Sequence, residues 1–124
     1  RGNADRRIRN GVDKAPADIS HRDAAHKELQ LAQQLADKGD TQQAVVACDR
    51  ALAALPSNAA AHLLRGELYQ AMGDDSSAEA CFEKAIYLDP QQSEALTHLM
   101  FLKEQKHDFD SAIVIKERLQ RLDR

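Results

Sequence analysis

The sequence predicts an all-α protein built from repeated helix pairs. Three observations carry that prediction. Alanine, leucine, glutamine and charged residues dominate the 124 positions, while aromatics make up only 4%. These are strong helix formers, and little β-branched or aromatic material is left to build a sheet. Apolar residues recur at helical spacing in segments of about fourteen residues punctuated by glycine and proline. Finally, "GDTQQAVVACDRALAALP" at 39–56 returns as "GDDSSAEACFEKAIYLDP" at 73–90, an offset of 34 residues. Self-similarity at a fixed period of this length marks a stacked array.

With residue 25 as position 1, the repeats are 25–58, 59–92 and 93–124. Position 15 holds Gly39, Gly73 and His107; position 16 holds Asp40, Asp74 and Asp108; position 20 holds Ala44, Ala78 and Ala112. Position 27 holds Ala51, Ala85 and Leu119, and position 32 holds Pro56, Pro90 and Arg124. Each repeat reads as two helices, placed at about 21–38, 41–54, 59–72, 75–88, 93–106 and 109–122.

The first helix takes its predicted start from Ser20 and Asp23, an [ST]-x-x-[DE] capping pattern. Before it, residues 1–20 read as a basic, flexible linker: residues 1–14 carry a net charge of +3 with few apolar side chains. Residues 21–124 form the folded domain. In the second repeat, Leu63, Leu64, Leu68, Tyr69 and Met72 make the apolar stripe of helix three. Gly73 stops that helix by adopting a left-handed conformation, and Asp74 or Asp75 caps the next. Ala78, Cys81, Phe82, Ala85, Ile86 and Leu88 form the stripe of helix four, which Pro90 ends. Small alanines let two helices joined by a short turn cross closely, with Gly66 expected against Ala78 and Phe82 beside Ala85. Helix six carries Ile113, Val114, Ile115, Leu119 and Leu122, more apolar residues than one narrow stripe needs, which points to self-association through that helix.

The segment "HLLRGELYQAMGDDSSAEACFEKAIYLDP" resembles the tetratricopeptide repeat. That family favours Leu-Gly at positions 7–8, Tyr at 11, Ala at 20, an aromatic at 24, Ala at 27 and Pro at 32. The second repeat supplies Gly66, Tyr69, Ala78, Phe82, Ala85 and Pro90, and departs with His62 at position 4 and Arg65 at position 7. The first repeat has Ala32, Leu35 and Cys48 at 8, 11 and 24, where the third has Met100, Lys103 and Lys116. The resemblance implies three stacked helix pairs forming a short right-handed α-solenoid. It also implies a protein-interaction module whose concave groove, lined by the first helix of each pair, receives a peptide or helix. The inward positions are His26, Leu29 and Gln33, then Leu63, Glu67 and Gln70, then Glu94, Thr97, Phe101 and Glu104. Leu29, Leu63 and Phe101 would form an apolar track flanked by acidic residues, unless the two leucines pack between repeats instead. Chaperone-tail receptors of the family carry a Lys/Asn clamp; the corresponding positions here hold Leu29, Gln33, Leu64, Glu94 and His98, so that partner is not expected.

More narrowly, "FEKAIYLDPQQSEALTHLMFLKEQKHD" resembles the C-terminal repeat domain of CheR-type chemoreceptor glutamate methyltransferases, including Wsp-type enzymes of surface-sensing and biofilm pathways. The resemblance implies a parent that uses S-adenosylmethionine, and a regulatory domain that contacts a chemoreceptor or its own catalytic domain. A stand-alone scaffold or secretion-type co-chaperone is the alternative. This chain itself shows no nucleophile–base arrangement and no glycine-rich phosphate loop, so no catalytic residue and no cofactor are assigned to it. His21 and His26 lie five residues apart, the wrong interval for a helical metal pair, so no metal is expected. Residues 15–124 carry a net charge of −6, a poor surface for nucleic acid. No apolar run reaches the ~18 residues of a membrane span, and two widely spaced cysteines suit a reduced, cytoplasmic compartment. Cys48 and Cys81 are expected to pack in the core.

Overall fold

The computed structural model describes the backbone of residues 2–123 and the side chains of residues 20–123. It contains six helices: α1 (Gly2–Asp37), α2 (Thr41–Ala54), α3 (Ala59–Ala71), α4 (Asp75–Leu88), α5 (Ser93–Gln105) and α6 (Phe109–Leu122). Among the described residues there is no strand. Of the expected linker, residues 1–20, the side chains of 1–19 lie outside the described residues, and the backbone from Gly2 onward belongs to α1. The backbone of α1 runs through Ser20, so the Ser20–Asp23 pattern does not open a helix here.

Each helix packs against its neighbours in sequence. In addition α1 touches α3 and α3 touches α5, whereas α2, α4 and α6 do not touch one another. The first helices of the pairs therefore form the tighter inner wall of the stack, and the second helices spread along its outside. This is the geometry of a short solenoid.

The turns follow from three backbone positions. Gly39, Gly73 and His107 take φ of 82°, 81° and 63°. This left-handed conformation ends the helix and lets the next residue's N–H reach back five positions. Asp40 donates to the Leu35 carbonyl, Asp74 to that of Tyr69 and Asp108 to that of Lys103, each at 2.9 Å. The same aspartate then starts the second helix. Asp74 accepts from the Ser77 N–H at 3.2 Å and from its hydroxyl at 2.7 Å. Asp108 accepts from the Ser111 N–H at 3.3 Å. Asp40 makes no such bond; Gln43 stands where the other two repeats have serine. Before Pro56 and Pro90, Leu55 and Asp89 are extended at φ −146° and −138°, as the proline ring demands.

The core is two clusters along the stack. One joins Ala32, Ala44, Val45, Cys48, Leu64 and Leu68. The other joins Phe82, Ala85, Ile86, Leu96, Leu99 and Leu102. Tyr69 packs against both and links them. The repeated alanines Ala44, Ala51, Ala78, Ala85 and Ala112 are all buried. At Gly66, however, the space is taken by the ring of Phe82 and not by Ala78: a Cβ there would lie 2.6 Å from Phe82 Cε1.

Gly73 has open space around it, so only its backbone conformation constrains it. Gly73→Ala should lower unfolding free energy by about 1–2 kcal/mol, read by urea denaturation. An unchanged midpoint would show that the turn does not need glycine.

Candidate partner-binding groove

Of the residues predicted to face inward on α1, α3 and α5, not all reach the surface. His26 and Gln33 are exposed, and Leu29 is half-buried against the α1–α2 core. Leu63 is only 9% exposed and packs into the core between the second and third repeats. For Leu63 the packing alternative holds, because α5 sets Ala95, Leu96 and Leu99 against it. Phe101, by contrast, is 48% exposed.

Around Phe101 the wall is acidic. Glu94, Thr97 and Glu104 are exposed, and Glu67 and Gln70 are half-buried. Thr97 spends its hydroxyl on the Ser93 carbonyl at 2.8 Å. Burial pushes the Glu67 carboxyl above the ordinary range, His98 draws it back, and the charge of Glu94 pushes it further up. Glu67 Oε2 lies 3.5 Å from His98 Nε2. The His98 ring in turn stacks on Phe82, centroids 5.0 Å apart and planes within 7°. Phe82, which lies against Gly66, is thus stacked on a ring of α5 that itself meets Glu67.

Several polar contacts here were not legible in advance. Arg65 stands where the family prefers leucine. Its Nε donates to Asp49 Oδ1 at 2.8 Å, Nη1 to Cys81 Sγ at 3.2 Å and Nη2 to Tyr69 Oη at 3.2 Å. One guanidinium therefore ties α2, α3 and α4 together. Lys103 stands where the family prefers tyrosine, and with Lys106 it pairs with Glu79 across the α4–α5 contact. The only sequence signal was the departure of Arg65 and Lys103 from the family pattern. Cys48 and Cys81 are buried as expected, and burial pushes the Cys48 thiol up to about 12, leaving it an inert packing group. His62 Nε2 lies 3.2 Å from the Pro56 carbonyl. Among the described residues no group of three His, Cys, Asp or Glu side chains is placed to hold a metal ion. Nor is any helix of the described residues long and apolar enough to cross a membrane.

Comparison with known proteins agrees. A tetratricopeptide repeat family profile matches residues 35–100. The chain is 37% identical over 87 residues to the probable biofilm formation methyltransferase WspC of Pseudomonas aeruginosa, a match covering 70% of this chain. It is 37% identical over 90 residues to the protein of the same name from Pseudomonas putida, covering 73% of this chain. The chain spans about a fifth of the length of these curated relatives, 21% in both cases. The second repeat domain of Spaghetti (RPAP3), solved bound to an HSP90 peptide, superposes with a TM-score of 0.80 at 21% identity. That match covers 86% of this chain and 98% of the other, and it shows the shared fold.

The Glu79 pairing predicts a pH signature. Hydrogen bonds from Lys103 and Lys106 hold the Glu79 carboxyl below its ordinary range. A lowered folded-state value stabilises the fold above the unfolded carboxylate value of about 4.3, and that stability drains away as pH falls through the lower folded value. The difference in unfolding free energy between wild type and Glu79→Gln should be constant near neutrality and shrink in acid. A difference that stays flat down to acid unfolding would contradict the pairing.

Proposed function

The chain belongs to the tetratricopeptide repeat family, and we propose that it is the C-terminal partner-binding domain of a bacterial chemoreceptor glutamate methyltransferase in a surface-sensing pathway. The repeat array is a protein-interaction module. The observation that carries the narrower reading is the 37% identity to two WspC methyltransferases across most of this chain. In this reading the methyl donor S-adenosylmethionine serves a catalytic domain of the parent protein in the cytoplasm. The repeat domain contributes recognition and performs no chemistry of its own.

The groove suits a peptide or helix with an apolar anchor and basic residues, presented by a chemoreceptor or by the parent's own catalytic domain. Phe101 supplies the exposed aromatic surface that such contacts centre on. Glu67, Glu94 and Glu104 attract the basic residues and give binding a salt dependence. The same carboxylates repel an acidic C-terminal tail, and the positions of the Lys/Asn clamp hold Leu29, Gln33, Leu64, Glu94 and His98. The repeat domain of Spaghetti bound to an HSP90 peptide supports peptide capture by this fold, while the chemistry of the wall here favours the opposite charge.

Receptor methylation by the full parent enzyme is the test. Phe101→Glu should lower kcat/KM for the receptor by roughly tenfold or more, with KM for S-adenosylmethionine unchanged. A receptor kcat/KM untouched by this exposed substitution would refute the assignment of the groove. Calorimetry with an acidic C-terminal peptide is expected to show no binding, and saturable binding competed by Phe101→Glu would overturn the charge argument.

A further inference from the structure

Among the described residues the third helix pair ends in an uncovered seat, and the two earlier pairs show what such a seat holds. In the first, Ala44, Val45 and Cys48 at positions 20, 21 and 24 are buried with Leu64 and Leu68 of α3. In the second, Ala78 and Phe82 are buried with Leu99 and Leu102 of α5, while Glu79 takes Lys103 and Lys106. The same positions of the third are Ala112, Ile113 and Lys116, and no helix of the described residues covers them. With Glu104 and Phe109 they line an open pocket of about 290 Å³.

The apolar surface of the molecule is concentrated here. Among the described residues, four of the nine exposed large hydrophobic side chains belong to α6: Phe109, Ile113, Val114 and Leu122. Phe109 and Ile113, inside the pocket, are 55% and 53% exposed. Of α6 only Ala112 and Ile115 are buried. The seat wants a helix, and α6 is itself a helix with an unpartnered apolar face.

We propose that this face binds a second copy of the chain, with α6 packed antiparallel against α6 about a two-fold axis between Ala112 and Ile113. The charges of the pocket select that arrangement. Phe109 and Lys116 lie equally far from the proposed axis along α6, so antiparallel packing sets Phe109 against the partner's Lys116. Glu104 lines the same pocket as Phe109, and the proposed arrangement brings its carboxylate to the partner's ammonium, twice over. An apolar floor that carries both an acid and a base can be self-complementary under a two-fold axis, the property an isologous interface requires. Ala112 at the centre lets the helices approach closely, and the partner's Phe109 and Ile113 fill the seat. This surface is the end of the stack, separate from the groove wall proposed above apart from Glu104 at its edge.

Sedimentation equilibrium on the full chain, from about 1 μM to about 1 mM, decides. The mass should rise from monomer to dimer across that range. Ile113→Lys should stay monomeric throughout while keeping its helical circular dichroism and melting temperature, since Ile113 is exposed. Glu104→Lys and Lys116→Glu should each weaken association severalfold, and mixing the two variants should restore it, because every cross-axis pair is then opposite in sign. A monomeric mass at all concentrations would overturn the proposal and assign the seat to another protein's helix. So would a dimer indifferent to Ile113→Lys, and a mixture that fails to restore association would overturn the antiparallel register.

Discussion

The ring of Phe82 occupies the space where any residue but glycine at position 66 would place its Cβ, 2.6 Å from the ring edge. Overlap of that depth cannot be absorbed by a small adjustment in a close-packed interior. The closeness of α3 to α4 therefore rests on a missing methyl. The constraint runs outward from there. Phe82 is fully buried, and the His98 ring of the next pair stacks on it. His98 in turn meets Glu67 on the groove wall. The seating of α5 against the second pair, and with it the spacing of the acidic wall, is set at this one contact.

The other pairs solve the same crossing with other sizes. Position 8 grows as position 24 shrinks or leaves the core: Gly66 with Phe82, Ala32 with the smaller Cys48, Met100 with Lys116. Ala32 and Cys48 are fully buried; Met100 packs on the core while Lys116 is exposed at the open pocket. The total volume at the crossing is what the fold needs, and the repeats reach it with different residues. Polar ties adjust the contacts between pairs. Arg65 bridges α2, α3 and α4 from the first junction, and Glu79 with its two lysines spans the second. Among the described residues no further helix covers Ala112, Ile113 and Lys116, and the apolar residues of α6 face outward.

Much of this was written in the sequence in a local code. Gly73, Asp74 and Pro90 act through backbone geometry within a few residues, so the starts and stops of α2, α4 and α6 fall where the pattern put them. Leu63 was harder. Its position borders both the groove and the joint between repeats, and the rotation of α5 against α3 decides which of the two it joins. The Glu79–Lys103 pair spans 24 residues and two helices, and no short-range rule brings such partners together. The Ser20–Asp23 pattern gave a local signal for a helix start, but the α1 backbone continues through it.

The account stands or falls on the sign of one substitution. Glycine to alanine inside a helix ordinarily stabilises by about 1 kcal/mol. Gly66→Ala should instead destabilise by about 1–3 kcal/mol, because the new methyl meets the Phe82 ring. Combined with Phe82→Cys, which reproduces the Ala–Cys pairing of the first repeat, it should cost far less than the two changes separately, with a coupling of about 1 kcal/mol or more. Equilibrium denaturation of the four proteins measures this directly. A neutral or stabilising Gly66→Ala, with additive effects around the cycle, would contradict the claim that this contact sets the stack.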